Sequence, residues 1–342
     1  DINYAIENLP ASTSQFRVNK YTALALKAQF CLFEGTFRKY HAGESTLKTL
    51  PADAADYQFY LNEAAAAAKE IMDSGKYTLY STGKPATDYR DMFVLEDCES
   101  NKEYIFALKF DYGLGIFHNG TAYGLLPSQG RIGATRKFID SYLMKDGSRF
   151  TDKPGYESLE FAAQVADRDP RLAQSFRTPG YTRIDGTDVL APDLSSSCTG
   201  YQTIKWVMSA KANGGDSDRV DRSTSDLPVY RFGEILLIYA EALVEGAAGE
   251  FQSGMSADAA LNMVRGRVGL PAVAATRENI WDERRAELAM EDDRFFDLVR
   301  TGQAATVLAS KGFKSNKNEV FPIPSNQIQV NTGLVKTPGY TY

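Results

Sequence analysis

The chain has 342 residues, 43% of them hydrophobic, which suffices for a large core but exceeds what one core usually organises, so one large domain or two interlocked lobes is expected. A net charge of −6 without clustered Lys and Arg excludes a phosphate-binding surface, and no nucleic-acid partner is expected. The two histidines, His41 and His118, remove most zinc sites and most His-based acid–base schemes, so neither a metal nor a cofactor is expected.

Cys31, Cys98 and Cys198 are odd in number, far apart and outside any C-x-x-C arrangement, and read as three packed thiols. No apolar run approaches the roughly 18 residues of a membrane-spanning helix. The sequence opens at Asp1 without an initiator Met and so reads as a processed or truncated product; a targeting signal or lipid anchor upstream would not be visible in it.

In chain order, Leu26, Phe30, Phe33 and Phe37 recur at helical spacing between Phe16 and Tyr40 and predict an amphipathic helix with these residues on one face. A second helix is predicted from about Asp53 to Ser74, with Tyr57, Leu61, Ala64, Ala68 and Ile71 on one side and Gly75 as its stop. The two form an antiparallel pair joined by a loop from His41 to Pro51. Large residues alternate at Tyr104, Phe106, Leu108 and Phe110, the period of a strand.

A Gly-rich stretch carrying Tyr112, Phe117, His118 and Tyr123 follows and cannot hold regular structure. A short helix is predicted at Phe138 to Leu143, then a long irregular region from Asp167 to Asp226 with a strand at Tyr201 to Val207. From Pro228, read as a first-turn residue, Val229, Phe232, Leu236, Tyr239 and Leu243 mark an amphipathic helix with Glu234, Glu241 and Glu245 on the opposite face. A helix near Ala257 to Val268 and a third from about Arg277, with Trp281, Leu288 and Phe295 at heptad spacing, complete a tetratricopeptide-type stack.

Several signatures fail on spacing. Gly113-Leu-Gly115 would need glycine at 118, where His118 stands, and no nucleophile elbow or phosphate loop occurs. Asp216-Ser-Asp218-Arg-Val-Asp221 begins like a calcium loop but lacks its turn glycine and closing Glu. Glu283, Glu287 and Glu291 are numerous enough for a glycosidase acid and nucleophile. Their neighbours Arg284, Arg285 and Arg294 favour ion pairing, which depresses carboxylate pKa values and makes poor general acids.

The aromatic loop reads differently. Rings on a Gly-rich loop beyond a strand offer flat stacking surface, with polar groups from Tyr112, His118, Asn119 and Tyr123 for a ligand's hydroxyls or amides. The candidate ligand-binding residues are Tyr112, Phe117, His118, Asn119, Tyr123 and Arg131, joined by Tyr181 and Tyr201 from the second irregular region, with Asp185 as a further polar contact. Trp206, on the expected strand, is assigned to the interior. No catalytic residue is assigned.

Arg231-Phe-Gly-Glu-Ile-Leu-Leu-Ile-Tyr-Ala-Glu-Ala-Leu243, then Ala260-Leu-Asn-Met-Val-Arg265, then Glu283-Arg-Arg-Ala-Glu-Leu-Ala-Met-Glu291 leading to Arg294-Phe-Phe-Asp-Leu298, resembles the SusD/RagB family of outer-membrane nutrient-binding lipoproteins. Phe138 to Gly147, Asp167-Arg-Asp-Pro-Arg-Leu172, Phe321-Pro-Ile-Pro324 and Thr337-Pro-Gly-Tyr340 extend the resemblance over nearly the whole chain. Val299 and Thr301 stand where the family often has Arg and Trp.

The resemblance implies a mostly α, SusD-like fold with tetratricopeptide-like helix pairs, long loops and a few short strands. One domain would cover 1–342 and lack the family's usual N-terminal part, with a helical pair at 16–80, a loop-rich ligand-facing region at 81–227, a helical scaffold at 228–310 and an extended segment at 311–342. It implies non-catalytic capture of oligosaccharide, or alternatively peptide, and delivery to a SusC-like TonB-dependent transporter. The protein would sit on the cell surface of a Gram-negative outer membrane, held by an N-terminal lipid that this chain does not contain.

Overall fold

The computed structural model describes residues 1–43, 56–248, 254–291, 293–312, 323–331 and 333–334. The loop to Pro51, the helix start at Asp53, Phe321-Pro322 and the closing Thr337 to Tyr340 lie outside the described residues.

A short helix α1 (Ile2–Asn8) leads into α2 (Lys20–Tyr40) and α3 (Tyr57–Asp73). The Asn19 side chain accepts from the amides of Tyr21 and Thr22 at 2.9 and 3.1 Å, while Thr22 Oγ1 accepts from the Asn19 amide, a reciprocal cap that fixes where α2 begins. Asp56 caps α3 by accepting from the Phe59 amide at 2.9 Å, and Gly75, at φ +63°, takes the left-handed turn that ends it. The two helices pack closely because Gly35 meets Leu61; a Cβ at that glycine would stand 3.1 Å from the Leu61 side chain.

The face of α2 turned to the core is not the predicted one. Tyr21, Leu24, Ala25, Ala28, Cys31 and Leu32 are buried against α3, whereas Leu26 and Phe30 are exposed. The small residues win because they permit the close crossing over Gly35. On α3 the predicted Leu61, Ala64, Ala68 and Ile71 are buried, and Tyr57 is exposed.

Strand β1 (Tyr104–Leu108) pairs antiparallel with β2 (Leu227–Arg231) in a two-stranded sheet. Register shifts on both sides of Phe106 break the expected alternation, so Tyr104 and Ile105 are both buried and Leu108 is exposed. Pro228 lies within β2, and α7 (Phe232–Glu245) starts four residues later than its position suggested. Between the strands run short helices α4 (Gly120–Leu125), α5 (Arg136–Asp140) and α6 (Pro170–Ser175). The expected strand at Tyr201 to Val207 is absent; Gln202 and Thr203 make only isolated bridges, to Gly133 and Phe176.

Helix α7 packs against α3, α8 (Ala257–Arg267) and α9 (Arg277–Glu287) stack on α7, and α10 (Asp293–Arg300) crosses α2. The predicted third helix is thus two, interrupted between Leu288 and Glu291, where Met290 adopts φ +63°. Helix α7 is buried on every side, Glu234, Glu241 and Glu245 included. Glu245 accepts from Lys39, Tyr40 and Arg277, and Glu241 receives both terminal nitrogens of Arg300 at 2.7 and 2.8 Å.

The charged blocks form one buried network, but their partners are distant in sequence rather than adjacent. Glu287 accepts from Arg231 at 2.5 Å and Arg171 at 2.9 Å, and also pairs with Arg267. Glu283 binds Arg171 and Arg265, while Glu291 binds Arg231 and Lys205. Asp169 caps α6 and holds Arg171 from the other side, so the Asp167 to Leu172 motif feeds the same network. Arg285 pairs with Asp282 instead, and Arg294 forms no ion pair among the described residues. Burial alone would raise the Glu287 carboxyl; three guanidinium groups outweigh it and hold it well below the ordinary range. Burial prevails at Glu283, whose pKa is raised, contrary to the uniform depression expected.

Cys31 and Cys98 are buried free thiols, but Cys198 is exposed rather than packed. Among the described residues no helix is long and apolar enough to cross a membrane.

Candidate functional site

The chain leaving β1 turns back at once. Asp111 and Ile116 exchange backbone hydrogen bonds of 3.0 Å, and the Asp111 carboxylate accepts from the Leu114 amide, closing a tight loop. His118 then bridges to Ser223. Its Nδ1 accepts from the Gly120 amide at 3.0 Å, which leaves the proton on Nε2 to donate to the Ser225 carbonyl at 3.0 Å. Burial lowers the His118 pKa and keeps the ring neutral. Both ring nitrogens are therefore occupied in holding the loop.

Asn119 is used in a similar way, donating to Asp221 at 2.7 Å and accepting from the Asp221 amide at 2.6 Å. What this loop presents is Tyr123, on α4, a residue 46% exposed. Gly124 permits that placement: a Cβ there would stand 2.6 Å from Val207 Cγ2 and 3.0 Å from the Thr203 carbonyl. Gly124→Ala is accordingly expected to destabilise the protein by about 1–3 kcal/mol, read as a lowered urea midpoint. A loss below about 0.5 kcal/mol would show that α4 moves aside freely.

Tyr123, His118 and Asn119 line one cleft of 420 Å³ with Trp206, which sequence reasoning had placed in the interior. Trp206 packs edge-on against Phe93 at 4.9 Å and is half-buried. Beside it Lys205 is fully buried, donating to Tyr89, the Ala289 carbonyl and Glu291, and burial lowers its pKa to about 8. Leu108, Leu227, Pro228 and Val229 of the small sheet form an apolar wall, and Gln29, Glu234 and Asp293 close the far end. The volume suits a small ligand, and the wall of rings and aliphatic groups with a few polar ends suits stacking plus selective hydrogen bonding.

The other candidates fall elsewhere. Tyr112 and Phe117 lie on the same loop but outside the cleft: their rings meet at 5.7 Å, Tyr112 donates to Asp216 at 3.2 Å, and Arg222 covers Phe117. Asp216, which opens the segment that matches a calcium loop only at its start, also receives Arg219 and Arg222. Arg131 is exposed, at φ +52°, and donates to the Leu194 carbonyl. Tyr181 is only 7% exposed and packs with Ile204 and Val207, so it offers no free ring. Tyr201 is half-buried and donates to Gln164 at 2.7 Å. Asp185 is exposed in a turn at φ +59°.

Trp206 carried no distinguishing signal, because its neighbours in sequence do not show that it ends beside Tyr123. A larger cavity, 590 Å³, lies between α5 and α9, but its charges are largely spent on each other: Arg149 and Arg285 bind Asp282, and Arg136 faces Asp140.

Residues 102–340 match the SusD family. The chain belongs to that family. The chain is 24% identical to the SusD-like protein P2 of Formosa agariphila over 99% of its own length and 63% of the relative's. Its fold is similar to that of a SusD-like protein from Bacteroides fragilis, with a TM-score of 0.70 and 21% identity, covering 99% of this chain and 69% of that one. It is also similar to a SusD-like carbohydrate binding protein from Bacteroides fragilis, with a TM-score of 0.65 and 24% identity over 98% and 64% of the two chains. The mostly helical SusD-like fold with two short strands is thereby shown.

Membership also accounts for the sequence blocks. Those that carry the resemblance contain Arg171, Arg231, Arg265, Glu283, Glu287 and Glu291, which are part of the buried network. The family signature is largely the interior of the fold, and it reaches the cleft only at Arg231, Glu234, Met290 and Glu291.

Proposed function

We propose that this chain captures nutrient oligosaccharides without transforming them and passes them to a SusC-like TonB-dependent transporter. It would do so at the surface of a Gram-negative outer membrane, tethered by a lipid outside these residues, as one SusD-like domain whose loop-rich part, 81–227, faces the ligand. The observation that carries the reading is the cleft in which the exposed Tyr123 and the half-buried Trp206 face an apolar wall, with polar groups at its ends. A solved relative described as carbohydrate binding supports the choice of glycan over peptide.

The buried acids give the glycosidase alternative no support, because Glu283, Glu287 and Glu291 are each tied to two or more cations inside the scaffold. Isothermal titration against a panel of oligosaccharides and oligopeptides is expected to show weak, saturable binding of oligosaccharide, recovered intact after long incubation. A shallow site leaves the ligand much of its freedom, so affinity stays modest. Tyr123→Ala should weaken it about tenfold or more, since one stacked ring contributes of the order of 1–2 kcal/mol, whereas Tyr112→Ala should leave it nearly unchanged. Retained affinity in Tyr123→Ala would reject the cleft; binding of peptides alone would reject the ligand class.

A further inference from the structure

The cleft of Tyr123 and Trp206 ends on two carboxyl groups without a cation in hydrogen-bond contact. Glu234 and Asp293 stand in the first turns of α7 and α10, and both line the cleft. Glu234 is 4% exposed, and among the described residues its carboxyl meets one donor, the neutral amide of Gln29 at 3.0 Å. Asp293 accepts no hydrogen bond among the described residues, and its nearest cation, Arg284, lies 4.0 Å away. A carboxylate can accept several hydrogen bonds, and leaving that capacity unused in a buried place is costly.

The charged neighbours are committed elsewhere. Arg231 bonds to Glu103, Glu287 and Glu291, Arg284 to Asp297, and Lys205 to Glu291. Glu291, the third acid of the cleft, is thus neutralised from two sides, as Asp297 is by Arg284 and Arg300. Tyr230, beside the pair on β2, is a neutral phenol whose pKa burial raises. Burial also raises the two unanswered carboxyls. Glu234 reaches about 8 with Asp293 adding to the rise, and Asp293 reaches about 6 with Asp297 and Glu291 adding to it. Near neutral pH, then, Glu234 keeps its proton for want of a counterion.

We propose that the acidic end of the cleft takes a protonated amine carried by the captured oligosaccharide, so that the ligand class is an amino sugar with a free amino group. This rests on the glycan reading of the cleft and narrows it. The sugar face meets Tyr123 and Trp206, and the ammonium donates to Glu234 and Asp293. No covalent bond of the ligand changes: Glu234 releases its proton to solvent as the ammonium takes its place, and the total charge is conserved. A neutral hydroxyl fits less well, because it supplies no charge to offset the carboxylate. A divalent metal also fits less well, since among the described residues no group of three His, Cys, Asp or Glu could hold one.

The test titrates the 342-residue chain with a β-1,4-linked glucosamine oligosaccharide and with its fully N-acetylated counterpart, at about pH 6, where the amine is charged. The amine form is expected to bind about tenfold or more tightly than the amide form. It should also release about one proton per ligand, read from the dependence of the heat on the ionisation enthalpy of the buffer. Glu234→Gln should erase both the preference and the proton release; urea unfolding confirms that this variant is folded. Glu278→Gln, exposed and outside the cleft lining, should keep both. Tyr123→Ala should weaken the two ligands alike. Equal binding of the two oligosaccharides would overturn the amine proposal and leave the glycan cleft standing, as would an amine preference that persists in Glu234→Gln. Binding of neither, where other neutral oligosaccharides bind, would overturn it too. Binding of lysine-containing oligopeptides alone would overturn both this proposal and the glycan reading.

Discussion

Glu287→Gln is expected to lower the free energy of unfolding by about 3–5 kcal/mol, the range for removing one partner of a buried ion pair. Glu287 is fully buried and answers Arg171, Arg231 and Arg267 at once, while Glu103 and Glu283 serve some of the same cations from other sides. The amide keeps the shape of the side chain but not its charge, so three guanidinium groups lose their shared counterion in a place water does not reach. Urea unfolding measures the loss. The exposed Glu278→Gln on the same helix should change stability by less than about 0.5 kcal/mol and serves as the comparison. A loss near zero for Glu287→Gln would mean that the network relaxes and that Glu103 and Glu283 suffice. Ligand binding per folded molecule should survive, because Glu287 itself does not line the cleft.

The second large effect is a pH dependence with two limbs. Asp297 is pushed down to about 2: burial opposes this, but Arg284 and Arg300 prevail. Glu287 and Glu291 are lowered for similar reasons. Groups of this kind release protons more readily in the folded state, so their contribution is complete above the ordinary carboxylate range and is lost as pH falls toward 2. Glu234 behaves oppositely, raised to about 8 by burial and by Asp293. It holds its proton more tightly when folded, so its contribution is complete below the ordinary value and is lost as pH rises to about 8. Stability should therefore peak at about pH 5 and decline on both sides.

Glu234→Gln should remove most of the alkaline decline and raise stability at pH 8 by the order of 2 kcal/mol, visible in melting temperatures taken from pH 4 to 9. Parallel curves for the two proteins would show that Glu234 ionises freely where it stands. The acidic limb should persist in the variant, since Asp297 and Glu287 are untouched.

The parts of the fold that were legible in the sequence are those governed by local chemistry. Gly75 and the run of alanines from Ala64 to Ala68 locate a helix end and a close-packed face, because a stop residue and the lack of a bulky side chain act within a few residues. Pro228 was misread for a reason of the same kind: proline suits a first helical turn, yet here it sits in a two-stranded sheet where pairing with Ala107 takes precedence. The acids of α7 show the limit more clearly. Glu234, Glu241 and Glu245 sit where an amphipathic helix would meet water; the arrival of Arg300, Arg277 and Lys39 from elsewhere makes the burial of Glu241 and Glu245 tolerable, while Glu234 is met by Gln29.

The candidate site divides in the same way. That the Gly-rich segment after β1 carries rings could be read directly; that Tyr123 stands on a short helix, α4, rather than on irregular backbone could not. Which rings are free could not, because His118, Asn119 and Tyr201 are committed to Ser225, Asp221 and Gln164, residues far away in the chain. Trp206 joins Tyr123 only once the second irregular region folds back across α4.

The sequence by itself determined the helical framework, the family and the charged blocks that mark it, since periodicity, caps and ordered motifs are properties of neighbouring residues. Only the tertiary structure decided which face of α2 is core, which carboxylates are neutralised and by whom, and which rings remain exposed. Those outcomes depend on packing and on charge pairs closed over long stretches of chain, and no local pattern encodes them.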